Sequence, residues 1–207
     1  SKVNSAFQKN ASIFASSGIK ASEAARTLLN SAGLQNVPVN RIGGNLTDHY
    51  DPRNKSINLS ADVYDNSSLS ALGVMAHEVG HAIQHAQAYA FLTFRAKLVP
   101  VANIAASFSW LPLMIGLFAQ SSGLLLLGIV LLAASVLFQV VTLPVEFDAS
   151  KRAMNEVVSL GIISNNEERD AKKVLNAAAM TYVAAAAVAV LELLRFVLIF
   201  LNMNNDD

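Results

Sequence analysis

Between Lys97 and Glu146 the chain carries no Asp, Glu, Lys or Arg over 48 consecutive residues. No other feature limits the fold so strongly. A bilayer-spanning helix needs roughly 20 predominantly apolar residues, so this stretch is long enough for two spans. The sequence AQSSG at 119–123 supplies the turn between them. Spans are expected at about 98–118 and 124–143, and a third apolar run covers 178–201. A soluble core would have to bury all three runs in a chain of 207 residues. The expected protein is therefore multi-pass, in the cell membrane, with the lipid bilayer as one of its partners.

The rest of the chain is polar and mixed. It reads as mainly α, with an α+β catalytic part joined to a bundle of transmembrane helices. Residues 1–97 would form the first half of that part, 98–145 a transmembrane hairpin, 146–177 the second half, and 178–201 a third transmembrane helix. Ser22 is placed to cap a helix over EAARTLLNSA, with Gly33 as its stop. VPVNRI (37–42) and KSINLS (55–60) alternate like strands, and DPRN (51–54) is turn chemistry. Ser67 or Ser68 would cap a helix over about 69–88. The segment 146–173 is expected to be helical. There is no cysteine, which excludes disulfides and thiolate metal sites, and zero formal net charge gives no sign of nucleic-acid binding. Ser1 stands where an initiating methionine is expected, which fits a trimmed N-terminus with a targeting or membrane segment ahead of it.

The chemistry is concentrated in MAHEVGHAIQH (75–85). Residues four apart share a helix face, so His77 and His81 can present two imidazole nitrogens to one ion. Glu78 lies about 100° round the helix from His77, where a carboxylate reaches a water without ligating the metal. H-E-x-x-H on a helix is the signature of zinc metallopeptidases, in which zinc acidifies a water and the glutamate takes its proton. One catalytic Zn²⁺ is therefore the expected cofactor, and a peptide or protein the expected substrate. Gly80, inside the helix at a cost of roughly 1 kcal/mol against alanine, is expected to permit close packing. His85 lies about 12 Å along the axis from His77. Three successive turns cannot converge on one zinc with bonds of about 2 Å, so His85 is expected to be a packing or rim residue.

The third ligand has to come from elsewhere, and LPVEFDASKR (143–152) offers Glu146 and Asp148. A hairpin through the bilayer would return Glu146 to the face from which the HEVGH helix departs. In TDHYD (47–51), His49 or Tyr50 is a candidate donor to the oxyanion of a hydrolysis transition state, or else the turn satisfies its own backbone. The INLS strand just after it is expected to lie at a sheet edge, where an extended substrate could add as a strand. Glu192 and Arg195, spaced i, i+3 in the third apolar run, are expected to form an ion pair. A different reading of the same pattern is a non-proteolytic membrane scaffold or chaperone-like protein with a structural metal. Such a site would need four protein ligands. An intramembrane protease is disfavoured because the apolar run begins about fifteen residues after the motif, beyond Arg95 and Lys97.

The segments LTDHYDPRNKSINLS, AHEVGHAIQHAQAY, TLPVEFDASKRA and AAAMTYVAAAAVAVLELLR together resemble the YugP-like family of neutral zinc metallopeptidases, which are bacterial membrane proteins. The resemblance runs from about residue 16 to residue 200. It implies a membrane zinc peptidase with ligands at His77, His81 and Glu146 and with Glu78 as base. It also implies an N-terminal membrane helix, for which residues 1–20 show no apolar run. The pattern is similar to gluzincins generally, with their HExxH helix and a glutamate on a later helix. There an acid one turn past that glutamate supports a ligand histidine. Here that position is Ser150, and the nearby acid is Asp148, the candidate outer partner of a histidine. The basic residues Arg95, Lys97, Lys151, Arg152, Arg169, Lys172 and Lys173 all flank spans on the side of the motif, which predicts a cytoplasmic site.

Overall fold

The computed structural model describes residues 13–205. It is mainly helical with one small sheet, and it separates into two units. One contains the described residues up to Tyr89 together with Val145–Thr181. The other contains Ala90–Pro144 and the chain from Tyr182 onward.

In the first unit, helix α1 spans Ala21–Ser31 and buries Ala21, Ala24, Ala25, Leu28 and Leu29, the i, i+3, i+4, i+7 stripe of an amphipathic helix. It begins one residue before Ser22, so Ser22 is not its cap. The Ala21 N–H is satisfied instead by the Asn66 carbonyl at 2.8 Å. Gly33, at φ +75°, takes the left-handed conformation just past the helix end.

Strands β1 (Val39–Ile42), β2 (His49–Asp51) and β3 (Ser56–Ser60) follow. Their order is β1-β3-β2, with β3 parallel to β1 and antiparallel to β2. This corrects the expectation for INLS. Every residue of β3 is buried and strands occupy both its sides, so it has no edge to offer an added strand. The edges beside it are β1 and β2, and β2 lies within TDHYD, the stretch read as a possible turn.

A short helix α2 (Ala61–Tyr64) leads to α3, Leu69–Ala86, which carries the HEVGH sequence. The Ser68 hydroxyl caps α3 by accepting from the Ala71 N–H at 3.2 Å. The chain returns to this unit on the last part of α6 (Ser122–Ser159) and the first part of α7 (Asn165–Asn205). The Glu167 carboxylate accepts from both the N–H and the hydroxyl of Ser164, closing a capping interaction at the start of α7. Ala153, Met154, Val157, Ile163 and Leu175 join Leu28, Ile57, Leu59, Met75 and Val79 in one core. The two separate stretches of sequence thus fold as a single hydrophobic unit.

In the second unit, α4 spans Ala90–Phe108 and α5 spans Trp110–Phe118. The expected first span is therefore interrupted at Ser109. Pro112 explains the break, since it lacks an N–H and its ring clashes with the carbonyl four residues back, that of Phe108. Leu113, Leu125 and Ile129 form a small cluster packed by Leu193, Phe196 and Phe200. Gly116 and Gly128 make it possible. A Cβ on Gly116 would come within 2.4 Å of the Leu125 backbone nitrogen, and one on Gly128 within 2.7 Å of that of Leu113. Three helical stretches, Ala90–Phe118, Ser122–Ser159 and Asn165–Asn204, are long and apolar enough to cross a membrane. In α7, Glu192 and Arg195 form the expected pair at 3.5 Å.

Candidate metal centre

The centre is built from α3 and from the stretch of α6 that begins at Val145. These helices approach closely at Gly80, where a Cβ would sit 2.3 Å from the Ala149 carbonyl oxygen. Only glycine fits there, which brings His77 and His81, flanking Gly80 on α3, up to Glu146 on α6. The distance from His77 Nε2 to Glu146 Oε2 is 3.0 Å, and that from His81 Nε2 to the same oxygen is 3.7 Å. The two Nε2 atoms are 3.1 Å apart. Among the described residues these three side chains form a group able to hold a metal ion.

The donor set fits zinc on two grounds. Zinc bonds of about 2.0–2.1 Å in a tetrahedron place ligand atoms roughly 3.3 Å apart, and the three spacings bracket that value. The second ground is the tautomer of His81. The Gln84 amide nitrogen donates to the Val145 carbonyl at 2.9 Å and to the Asp148 carboxylate at 2.8 Å. The Gln84 carbonyl oxygen must therefore be the atom 3.0 Å from His81 Nδ1. That oxygen only accepts, so Nδ1 carries hydrogen and Nε2 of the neutral ring turns its lone pair into the cluster. His77 has a similar outer contact, with Nδ1 2.9 Å from the Ser150 hydroxyl.

Glu78 is buried, and its Oε2 accepts from the Tyr50 backbone N–H on β2 at 2.8 Å. Burial pushes its carboxyl pKa up, and the two histidines and the Tyr50 N–H only partly offset this. At His81 burial acts to lower the imidazole, but the Glu146 hydrogen bond and the two carboxylate charges prevail and raise its pKa. The cluster thus favours positive charge at its centre.

The remaining candidates lie around this centre. Asp148 does not touch a histidine. It accepts from Gln84 and from Arg152, and so reaches His81 through Gln84. Arg152 also donates to the Gln87 side chain. His85 bonds the Tyr50 hydroxyl through Nδ1 at 2.7 Å, the packing role expected of it. His49 is exposed, with Nδ1 2.8 Å from the Thr47 carbonyl oxygen and Nε2 3.4 Å from the Asn58 amide. Both groups proposed for the oxyanion thus have local partners. Sequence reasoning missed Gln84 as the outer partner of His81, and at position 150, to which the resemblance to gluzincins pointed, it passed over Ser150 in favour of Asp148. Gln84 lies on the helix of His81, three residues on, but its amide is oriented by Val145 and Asp148 of α6, and Ser150 meets His77 only through the approach of α6.

Comparisons with known proteins point to the same metal. A family model described as "Putative neutral zinc metallopeptidase" matches residues 1–201. The chain belongs to this family. It is also 50% identical over 206 residues to "Putative membrane protease YugP" of Bacillus subtilis (strain 168), a match covering 100% of this chain and 92% of that protein. No solved structure matches the chain significantly.

Proposed function

We propose that the chain is a membrane-embedded endopeptidase that hydrolyses peptide bonds with one zinc ion and with Glu78 as general base. One observation carries the reading. Three donor atoms converge with tetrahedral spacing, and a buried carboxylate that is not among them stands beside the first. Zinc held by His77, His81 and Glu146 would supply Lewis acidity, lowering the pKa of a water and polarising the scissile carbonyl.

The chain's own residues do the rest. The Tyr50 N–H holds Glu78 Oε2 and leaves Oε1 to take a proton from the attacking water. A carboxyl whose pKa is raised by burial is the better base for that transfer. The same carboxyl can then deliver the proton to the leaving amine nitrogen. Gln84 and Ser150 hold the two imidazoles in orientation. A contact from Tyr50 to the oxyanion requires its hydroxyl to leave His85. A structural zinc would take four protein ligands, whereas the group among the described residues has three, which supports the enzyme over the scaffold.

The test joins metal content with hydrolysis of an unfolded protein or a membrane protein, with and without chelator. Glu78→Gln is expected to keep one zinc and to lose activity by about 10²–10⁴-fold. Near wild-type hydrolysis by the zinc-loaded variant would sink the mechanism.

The proposed location is the cell membrane with the centre on the cytoplasmic face, because the basic flanks lie on that side and the 119–123 turn is uncharged. The absence of native cysteine makes labelling clean. In intact cells a cysteine at Asn54 should resist an impermeant reagent, and one at Ser122 or Asn204 should react. The inverse pattern reverses the orientation.

A further inference from the structure

In the first unit a groove of about 280 Å³ runs between α6 and α7. It belongs neither to the donor cluster nor to the Glu78 side of α3. Each helix lines it with one face, Phe147, Lys151 and Met154 on α6 and Lys172, Leu175 and Ala179 on α7. One end of the groove is apolar and sits where the apolar runs stop. Phe147 is four residues past the 124–143 run, and Ala179 is the second residue of the 178–201 run. Lys151 lies one turn beyond Phe147, and Lys172 two turns before Ala179, so the basic groups stand roughly 5–10 Å above the apolar level. The head-group layer on each side of a bilayer is about 5–8 Å deep, from a hydrocarbon core of ~30 Å within a full thickness of ~40–45 Å, and a lysine side chain reaches back into it from just above.

We propose that this groove binds the head group of an anionic glycerophospholipid. Its acyl chains would lie along the Phe147–Ala179 end, and its phosphate would be held between Lys151 and Lys172. Three observations point to this occupant. Among the described residues Lys151 makes no ion pair, and Lys172 has only Glu168, at 2.5 Å, against the three donors of an ammonium. Asn155 and Asn176 also line the groove and supply neutral donors for phosphate or glycerol oxygens. The volume falls below the ~300–1,000 Å³ of pockets for drug-sized ligands and suits a compact head group. Basic pockets between membrane helices on the cytoplasmic side recognise such lipids. Ser150 lines the same groove and bonds His77 Nδ1, so an occupant there touches the outer partner of a donor histidine. Any effect of the lipid on hydrolysis rests on the peptidase reading, whereas binding does not.

The test is lipid retention. The full chain is reconstituted in bilayers of phosphatidylcholine with phosphatidylglycerol, extracted gently, and the retained lipid is counted by native mass spectrometry. The wild type is expected to keep phosphatidylglycerol in preference to phosphatidylcholine. Each basic residue near an anionic head group is worth about a fivefold change in binding, so Lys151→Gln with Lys172→Gln should cut the preference on the order of tenfold or more. Lys151→Arg with Lys172→Arg should retain it, and Lys97→Gln, basic and beside a span but outside the groove, should leave it unchanged. Equal retention of the two lipids by the wild type overturns the proposal. So does a preference undiminished in the double Gln variant, a loss as large in Lys97→Gln, or displacement of the lipid by millimolar inorganic phosphate. A chain that retains the lipid but hydrolyses nothing counts against the peptidase reading alone.

Discussion

In the first unit Leu28, Leu29, Leu59 and Leu69 are wholly buried, while in the second Leu127, Leu191, Leu194 and Leu198 are between 51% and 65% exposed. The residue type is the same and the treatment opposite. In the first unit water sets the rule, so leucines go inside, and a buried polar side chain such as Gln84 is bonded on both its oxygen and its nitrogen. In the second unit the cluster around Leu113 and Leu125 is small, and only 6% of the most apolar window of α7 is buried. In a bilayer, leucine facing lipid would cost nothing, and burial would no longer drive packing. Close helix approach falls to small residues such as Gly116 and Gly128. The chain therefore places most of its charges and the candidate donor cluster in one unit and most of its exposed apolar surface in the other.

The sharpest way to break this contrast is to remove a donor from the polar cluster. His77→Ala or His81→Ala should abolish zinc binding, and Glu146→Ala should nearly do so, while the apolar helices stay folded by circular dichroism in detergent. His85→Ala should keep the metal, because its ring bonds Tyr50 rather than the cluster. Full zinc occupancy and activity in Glu146→Ala would remove Glu146 from the centre.

A smaller effect should come from the outer partners. Gln84→Leu deprives His81 Nδ1 of its acceptor and leaves Asp148 with Arg152 alone. Losing such a partner typically costs 10–100-fold in metal affinity, read by competition with a chromophoric chelator. Ser150→Ala should cost less, because a serine hydroxyl can turn to other partners and fixes the His77 tautomer less firmly than the Gln84 carbonyl fixes that of His81. If Ser150→Ala proves the more damaging, the tautomer argument is wrong.

How much of this was legible in the sequence follows the same division. The apolar runs and the HEVGH helix could be read directly, because hydropathy and the i, i+4 rule are local. Glu146 was reachable as the first charge after the second run. The sheet order was not, because the alternation in KSINLS identifies a strand without saying who flanks it, and a three-residue strand at His49–Asp51 gives no periodicity to detect. Gln84, and a serine rather than an acid serving at position 150, were hidden for a related reason. Their roles exist only once α6 lies against α3, and the signal of that approach was one glycine inside a helix.

That glycine yields the last and smallest effect. Alanine is the better helix former by roughly 1 kcal/mol, so Gly80→Ala would stabilise α3 if nothing lay against it. The structure puts backbone there. The new Cβ would meet the Ala149 carbonyl oxygen at 2.3 Å, its carbon at 2.8 Å and its Cα at 3.1 Å, and backbone cannot swing aside as a side-chain tip does. The helices must separate, and overpacking of this kind costs about 1–3 kcal/mol. The net expectation is a lower melting temperature and weaker zinc binding, because the same separation moves Glu146 and Ser150 on α6 away from the histidines on α3. Gly123→Ala is the control within α6, since a Cβ there meets nothing within 4 Å, and it should be neutral or slightly stabilising. Gly116→Ala makes the matching test in the second unit. It should loosen the contact with Leu125 and leave zinc affinity at the wild-type value. A Gly80→Ala protein that melts no lower than wild type and binds zinc as tightly would show that Glu146 is positioned by something other than this contact.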